Sequence, residues 1–534
     1  MVRNRSSNTG SNNFNFKKLD GRMIKNVIFK IIMIIVSGIL TGLPFYFPNL
    51  YFLSWFSLVP LLLVIQNQSP KLAFGSGWLS GLFFFVIIFY WVVYPQLIFD
   101  MPLNLALGFT LLLCGVLAIF IGAFALLGNY VIKREQSLVI FWIPVIWTGL
   151  EYLRSVSTFN LLFGAIGYSQ AYFPLFIQIA DLFGVYGVTF FIILINVFIY
   201  KLILYLRDAF LNKISLDRIN ILNKSEIIYF SLILLFVVGY GLINLKMPSN
   251  EKVKSLKVGL IQPNIAQEIK WSRDSRVNII DRYFRLTGQI KNKDVDIIFW
   301  PETAIPFILN EENGFWQNYL FRKINRINTP LFTGALNKID GKVYNQVFLV
   351  NTNAQITDSY NKMSLVPFGE YIPLRNIMPT NIKELMSDKS AGEKINSFSL
   401  NGFKWGSPIC SEILNPELVS KIARDNHFLV NPSNEAWFKK SNASLEIWQT
   451  AIFRAVENRI PIIKVSNTGI SGIINAHGKI KMQLEPFKAT SSIWNLKIPN
   501  KKKETIYNRY NDYFIYLIGL MALLLFIRSK KRFQ

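Results

Sequence analysis

The chain has 534 residues, is 51% hydrophobic and 15% aromatic, and carries a formal net charge of +25. Apolar residues crowd before residue 247 and return in "YFIYLIGLMALLLFI" at the C-terminal end, a distribution that excludes a purely soluble protein. Nucleic acid is excluded as a partner too: no basic helix or aromatic platform lies on a polar face, and the positive charge reads as cytoplasmic anchoring beside an anionic lipid surface.

In chain order, residues 1–26 form a basic segment with Arg3, Arg5, Lys17, Lys18, Arg22 and Lys25. A membrane-crossing helix needs roughly 20 mostly apolar residues. Seven are expected within 27–246, at about 27–45, 49–66, 74–94, 103–131, 138–153, 182–204 and 227–245. An eighth is expected at about 513–527, inside a C-terminal unit of 511–534. The first stretch offers no convincing small-x-small cleavage site in "SGILTGLPFYF" and reads as a retained anchor.

Residues 155–180 carry no charge, yet Asn160, Gly164, Gly167, Ser169, Gln170 and Pro174 point to a broken interfacial segment instead of a span. Loop charge agrees. Lys71, Lys133, Arg134, Lys201, Arg207, Lys213, Arg218 and Lys224 then share one side with both termini, and only Arg154 falls in the short loops opposite. The positive-inside rule makes that side cytoplasmic and puts residues 247–510 outside. "NKKK" at 500–503 runs against the pattern, although a long translocated domain follows charge weakly.

From 247 the pattern becomes short apolar strands alternating with amphipathic helices, an α/β domain. Strands are expected at 256–265, 295–303, 329–336, 403–410 and 427–433, with a hairpin at 343–362 turning on "NTNA". Helices are expected near 275–291, from "NPELVSKIARDN" with its Asn cap and first-turn Pro, and over "LEIWQTAIFRAVENR". A final strand pair follows at 460–480.

Three of these segments deliver a reactive side chain where a strand stops: Glu302 in "WPET", Lys362 in "YNKMSLVPFGEY" and Cys410 in "PICSEI". Strand ends are where α/β sheets build sites. Singly, each has a plain reading. A lone cysteine is usually a small buried hydrophobe, Glu302 and Lys362 could be surface charges, and Glu370 could orient a turn. Only two histidines exist, and His427 and His477 read as a helix end and a turn. A thiol here must therefore be activated by a carboxylate and a lysine.

Together, and in this order, the three motifs resemble the nitrilase superfamily. With the spans before and after, and with "WTGLEYLRS", "FGAIGYSQ", "GLIQPNI", "EIKW", "NEAWF", "RAVENRIP" and "NTGISG", the chain resembles the bacterial apolipoprotein N-acyltransferase family. The resemblance implies a multi-pass α-helical membrane domain of about eight spans with an α/β nitrilase-like α-β-β-α sandwich. It implies Glu302 as general base, Lys362 as oxyanion-stabilising cation, Cys410 as nucleophile and Glu370 as a supporting carboxylate. Glu412 and Trp271 match further site positions. Ser411 departs from the tyrosine common after the cysteine.

The implied activity is transfer of an acyl chain from a membrane phospholipid, through a thioester, to the α-amine of a diacylglyceryl-modified apolipoprotein. The implied setting is the bacterial inner membrane, with the catalytic domain periplasmic and the chain a monomer. No metal cluster or phosphate-binding glycine loop is visible, so no metal or other cofactor is expected. Segments 155–180 and 386–397 are candidates for a lipid-facing mouth and a lid. The same triad would also serve a membrane-tethered amidase or nitrile hydrolase. A transporter or receptor is disfavoured, because no repeated halves with broken charged helices occur.

Overall fold

The computed structural model describes residues 21–134, 138–156, 162–210, 222–246, 253–291, 293–310, 314–373, 375–377, 388–499 and 503–531. The basic residues before 21, residues 386–387 of the expected lid and residues 500–502 of "NKKK" lie outside the described residues.

The N-terminal half is built from helices α1 (Gly21–Tyr46), α2 (Pro70–Phe89), α3 (Leu103–Arg134), α4 (Val139–Ser155), α5 (Ala180–Phe210) and α6 (Lys224–Lys246). Helices α2 and α3 approach closely through small residues: a Cβ on Gly77 would sit 2.4 Å from the Ala125 Cβ. Among the described residues, six helical stretches are long and apolar enough to cross a membrane, namely Met23–Tyr46, Pro48–Ile65, Pro70–Ile98, Leu103–Arg134, Ala180–Phe210 and Lys224–Lys246. Helix α4 has 17 residues, about 25 Å at the helical rise, and the last helix runs over 19 residues, Tyr513–Lys531. Helix α4 ends in buried polar groups, where Arg154 donates to the carbonyls of Phe163 (2.6 Å) and Gly164 (3.2 Å), and Glu151 accepts from the Ile166 N–H at 2.9 Å.

Those bonds hold the segment read as broken, and its described part is indeed interrupted: a 3-10 turn, Ile166–Gln170, then one helical turn, Pro174–Ile177. Residues 162–171 are buried, so this part is a floor under the outer domain and not an open mouth.

The outer domain holds thirteen strands among the described residues. One sheet contains β1 (Val253–Gln262), β2 (Ile297–Phe299), β3 (Ile308–Leu309), β4 (Leu331–Ile339), β5 (Lys342–Val350), β6 (Ile356–Asn361) and β13 (Thr490–Pro499), in the order β13-β1-β2-β4-β5-β6 with β3 on β4. The other contains β7 (Ser397–Leu400), β8 (Phe403–Gly406), β9 (Phe428–Ser433), β10 (Ile462–Ser466), β11 (Gly472–Ile474) and β12 (Ile480–Gln483), ordered β12-β11-β10-β9-β8-β7. The central pairs β1–β2, β2–β4, β8–β9 and β9–β10 are parallel, and the remaining pairs in both orders are antiparallel.

An aromatic stack joins the sheets. Trp405 of β8 is fully buried, lies against Phe428 and Phe398 at ring centroids 5.5 and 5.6 Å apart, and meets Phe299 and Phe332 of the first sheet edge-on. Helices α7 (Arg276–Gly288) and α8 (Phe315–Asn325) bury Ile279, Tyr283 and Ile324 in the core beneath the first sheet. Helices α9 (Pro416–Ala423) and α10 (Ala443–Asn458) cover the second. The result is an α-β-β-α sandwich. Helix α9 starts as read, with the Asn415 side chain accepting from the Leu418 N–H at 3.0 Å and Pro416 in the first turn. The sequence reading did not register β13, although Trp494, Leu496 and Ile498 alternate along it and it pairs with β1 over ten residues.

Helix α10 lies between the sandwich and the N-terminal half. Glu457 accepts from the Val185 N–H at 3.1 Å, and Arg459 just beyond the helix pairs with Asp181 at 2.7 Å. The chain closes with α11 (Tyr513–Lys531).

Candidate active site

Glu302 leaves the end of β2 because Pro301 lacks the N–H that would continue the ladder. The next residue, Thr303, adopts φ 45°. The backbone there is gripped from behind: a Cβ on Gly334 of β4 would lie 2.7 Å from the Thr303 nitrogen and 3.0 Å from the Glu302 Cα, so only glycine allows this approach. Lys362 follows β6 directly. Cys410 comes after β8 and the extended residues 407–409, has φ 51° and opens the 3-10 turn Cys410–Leu414. Asn431 fixes that turn by donating to the carbonyls of Pro408 (2.7 Å) and Cys410 (3.2 Å).

The three converge. Lys362 Nζ stands 2.7 Å from Glu370 Oε2 and 3.8 Å from Glu302 Oε1, with all three side chains buried. The half-buried Cys410 thiol lies beside the Glu302 carboxylate and within reach of the Lys362 and Glu302 charges. The Asn434 N–H donates to Glu302 Oε2 at 2.7 Å. The Asn345 side-chain amide bridges the two acids, at 2.7 Å from Glu302 Oε1 and 3.0 Å from Glu370 Oε1.

Burial and the Glu302 charge push the Cys410 thiol up, against the opposing pull of Lys362. Cys410 thus rests as a thiol, with an acid beside it placed to take its proton. Burial would strip the Lys362 proton, but Glu370, Glu302 and Cys410 outweigh it and hold the ammonium. Burial opposes ionisation of Glu370 as well, yet Lys362 and Lys389 bring its carboxyl down to about 2. The site therefore keeps a fixed cation beside a base and a protonated thiol.

The other two predicted residues stand apart from the reacting atoms. Glu412 is fully buried and is pushed up to about 7 by burial. It accepts from the backbone N–H groups of Met363 (2.6 Å), Ser364 (3.0 Å) and Ile409 (2.7 Å), and the Tyr360 hydroxyl donates to both its oxygens at 3.1 Å. It ties the Lys362 segment to the Cys410 turn. Trp271 caps the short helix Gln267–Lys270 and is 37% exposed. Its neighbour Lys270, in the same "EIKW", is the buried one and reaches Thr303.

Sequence reasoning missed Lys270, Asn345 and Asn434. Asn345 had a signal, since a side-chain amide within an apolar strand must be hydrogen-bonded when buried. Asn434 acts through its backbone, which no side-chain reading detects.

Residues 37–198 match the apolipoprotein N-acyltransferase N-terminal domain, and residues 257–499 match the carbon-nitrogen hydrolase family. The apolipoprotein N-acyltransferase of Geobacter metallireducens is 31% identical over 90% of this chain and 92% of its own. The chain belongs to the apolipoprotein N-acyltransferase family. The Pasteurella multocida member is also 31% identical, over 94% of this chain and 96% of its own. A solved amidase from Nesterenkonia sp. overlays 49% of this chain and 95% of its own, at 13% identity and a TM-score of 0.38.

As a member of that family the chain is an acyltransferase, and its apolar helices make it a multi-pass membrane protein. The membrane half and the catalytic sandwich correspond to the family's two parts. The sandwich alone would suit any carbon-nitrogen hydrolase chemistry; the helices before it distinguish this branch.

Proposed function

We propose that the protein moves a fatty acyl chain from a membrane phospholipid to the α-amine of an S-diacylglyceryl cysteine on an apolipoprotein, by way of a Cys410 thioester. The observation that carries this reading is the convergence of Cys410, Glu302 and Lys362 on one point of a sandwich seated against apolar membrane helices.

Glu302 takes the Cys410 proton, and the thiolate attacks the phospholipid ester carbonyl. Lys362, with the Ser411 N–H, stabilises the tetrahedral oxyanion. The intermediate collapses with its C–O bond breaking, and Glu302 returns the proton to the departing lysophospholipid oxygen. The apolipoprotein amine then attacks the thioester and loses a proton to Glu302, and Cys410 Sγ leaves and recovers that proton. Glu370 holds Lys362 in place, Glu412 fixes the Lys362 and Cys410 segments together, and Trp271 offers an apolar wall at the rim. Aminolysis outruns hydrolysis when the thioester is screened from water.

The proposed arrangement has residues 1–26 cytoplasmic, 27–246 in the inner membrane, 247–510 in the periplasm and 511–534 returning as the last span and basic tail. The chain acts as a monomer.

The test is incubation of the membrane-purified protein with acyl-labelled phospholipid and no acceptor, followed by mass spectrometry of the Cys410 peptide. A hydroxylamine-sensitive acyl adduct that Cys410→Ala abolishes is expected. Label that never joins the protein, with hydrolysis of small amides instead, would favour the membrane-tethered hydrolase.

A further inference from the structure

Lys270 is buried to 1% exposure next to the reacting groups, yet among the described residues it forms no ion pair. Its Nζ donates to the Thr303 hydroxyl at 2.7 Å and to the Glu302 carbonyl oxygen at 3.4 Å. The acid on its own short helix, Glu268, turns outward to Lys439 at 3.0 Å. An ammonium is costly to bury without a carboxylate, so a cation kept here calls for a reason beyond packing.

The geometry supplies one. Thr303 is strained at φ 45°, a conformation unfavourable for a β-branched residue. Its turn is pressed from one side by the Gly334 backbone and held on the other by Lys270. The carboxylate that this turn aims is the one beside the Cys410 thiol, fixed by the Asn434 N–H at 2.7 Å and 3.8 Å from Lys362. Lys270 also feels the charges of Glu302 and Cys410 directly, with Lys389 as the opposing cation, and burial brings its own ammonium down to about 7.

We propose that Lys270 is a positioning residue for acyl transfer: it locks the Glu302–Thr303 turn so that the carboxylate meets the thiol, and its charge offsets the thiolate as the proton crosses to Glu302. The step it assists breaks the Cys410 S–H bond and forms an O–H bond on Glu302, with no other reactant. Lys362 remains the cation that meets the oxyanion. This proposal rests on the roles proposed above for Glu302 and Cys410.

The test uses the full-length enzyme in phospholipid–detergent micelles, with Lys270→Met, Lys270→Arg and Thr303→Val. Two quantities are read: the single-turnover rate and KM of Cys410 acylation, and the pH profile of Cys410 alkylation by iodoacetamide, followed on its own peptide. Lys270→Met should slow acylation about 10- to 100-fold with KM changed less than about twofold. Below about pH 7, where Lys270 carries its proton, Lys270→Met should slow Cys410 alkylation relative to wild type, and the difference should fade as the pH rises past that value. Lys270→Arg should recover part of both.

Thr303→Val keeps the cation and removes its acceptor. It should slow acylation without moving the alkylation profile, and it carries the test if Lys270→Met does not fold. A merely structural lysine would lower the melting temperature and leave the pH profile in place. Acylation within about threefold of wild type in Lys270→Met, or in Thr303→Val should that variant carry the test, overturns the proposal. If instead Cys410→Ala still accepts label, the thioester reading itself fails, and the role of Lys270 falls with it whatever its own variants show.

Discussion

Among the described residues of the outer domain, two buried lysine–glutamate clusters stand beside short strands, and they are built for opposite purposes. At the site, Lys362 faces two acids, Glu370 at 2.7 Å and Glu302 at 3.8 Å, and the second acid has a thiol in front of it. Behind it, Lys464 of β10 pairs with Glu435, and Ser433 closes the triangle at 2.8 Å to each partner. All three of those residues are fully buried, and the Gly469 backbone presses so near that a Cβ there would overlap Glu435. A sealed pair neutralises itself and locks β9 to β10. In the open cluster Glu370 is shared by Lys362 and Lys389, which leaves Glu302 at 3.8 Å from Lys362 and beside the thiol whose proton it can accept.

The contrast breaks most visibly at Glu302. Glu302→Gln should cut acyl transfer by about 10²–10⁴-fold. It should also raise the rate of Cys410 alkylation at fixed pH, since the Glu302 charge is one of the causes holding the thiol protonated. Activity lost together with slower alkylation would contradict that assignment.

The two lysines sharpen it. Lys362→Met should lower the acylation rate about 10²–10³-fold through loss of the oxyanion partner. Lys464→Met should instead destabilise the fold by about 3–5 kcal/mol, because it strands a buried carboxylate. Single-turnover acylation by the folded fraction separates the variants: it should fall steeply in Lys362→Met and stay near wild type in Lys464→Met, although denaturant unfolding should show both destabilised.

The smallest effect concerns acid. Glu370 is held at about 2 against an ordinary value of 4.5. A depressed carboxylate stabilises the fold above its unfolded value and loses that contribution as pH falls toward its folded one. The melting temperature of Glu370→Gln should therefore lie below wild type near neutrality, and the gap should close as pH drops from 4.5 toward 2. A gap independent of pH would detach Glu370 from Lys362.

The sequence disclosed the converging trio because strand-ending motifs place Glu302, Lys362 and Cys410 by local rules: a Pro after a strand, a hairpin arm, an N-terminal turn. It also disclosed an α/β domain, since period-two and period-3.6 patterns alternate after residue 256, while the α-β-β-α layering came from the resemblance to the nitrilase superfamily. It could not separate the open cluster from the sealed one, because Lys362 and Lys464 both follow or occupy short apolar strands, and only packing decides which carboxylates reach them. Lys270 was overlooked for a related reason. A lysine beside a tryptophan in a short polar helix reads as solvent-facing, and its burial is set by the distant Thr303. The fifth expected span lies where it was read, at Val139–Ser155, but the partners that Glu151 and Arg154 find in the folded segment below are not encoded in the hydropathy of 138–153.

All of α10 except Leu445 is buried, with the second sheet on one flank and the membrane helices on the other. The sandwich thus has no finished outer wall of its own there. Trimming the protein to its water-exposed half would not yield a free-standing enzyme: the cut would bare a helix of Ile447, Trp448, Ile452 and Phe453, and the freed fragment should clump or cling to lipid.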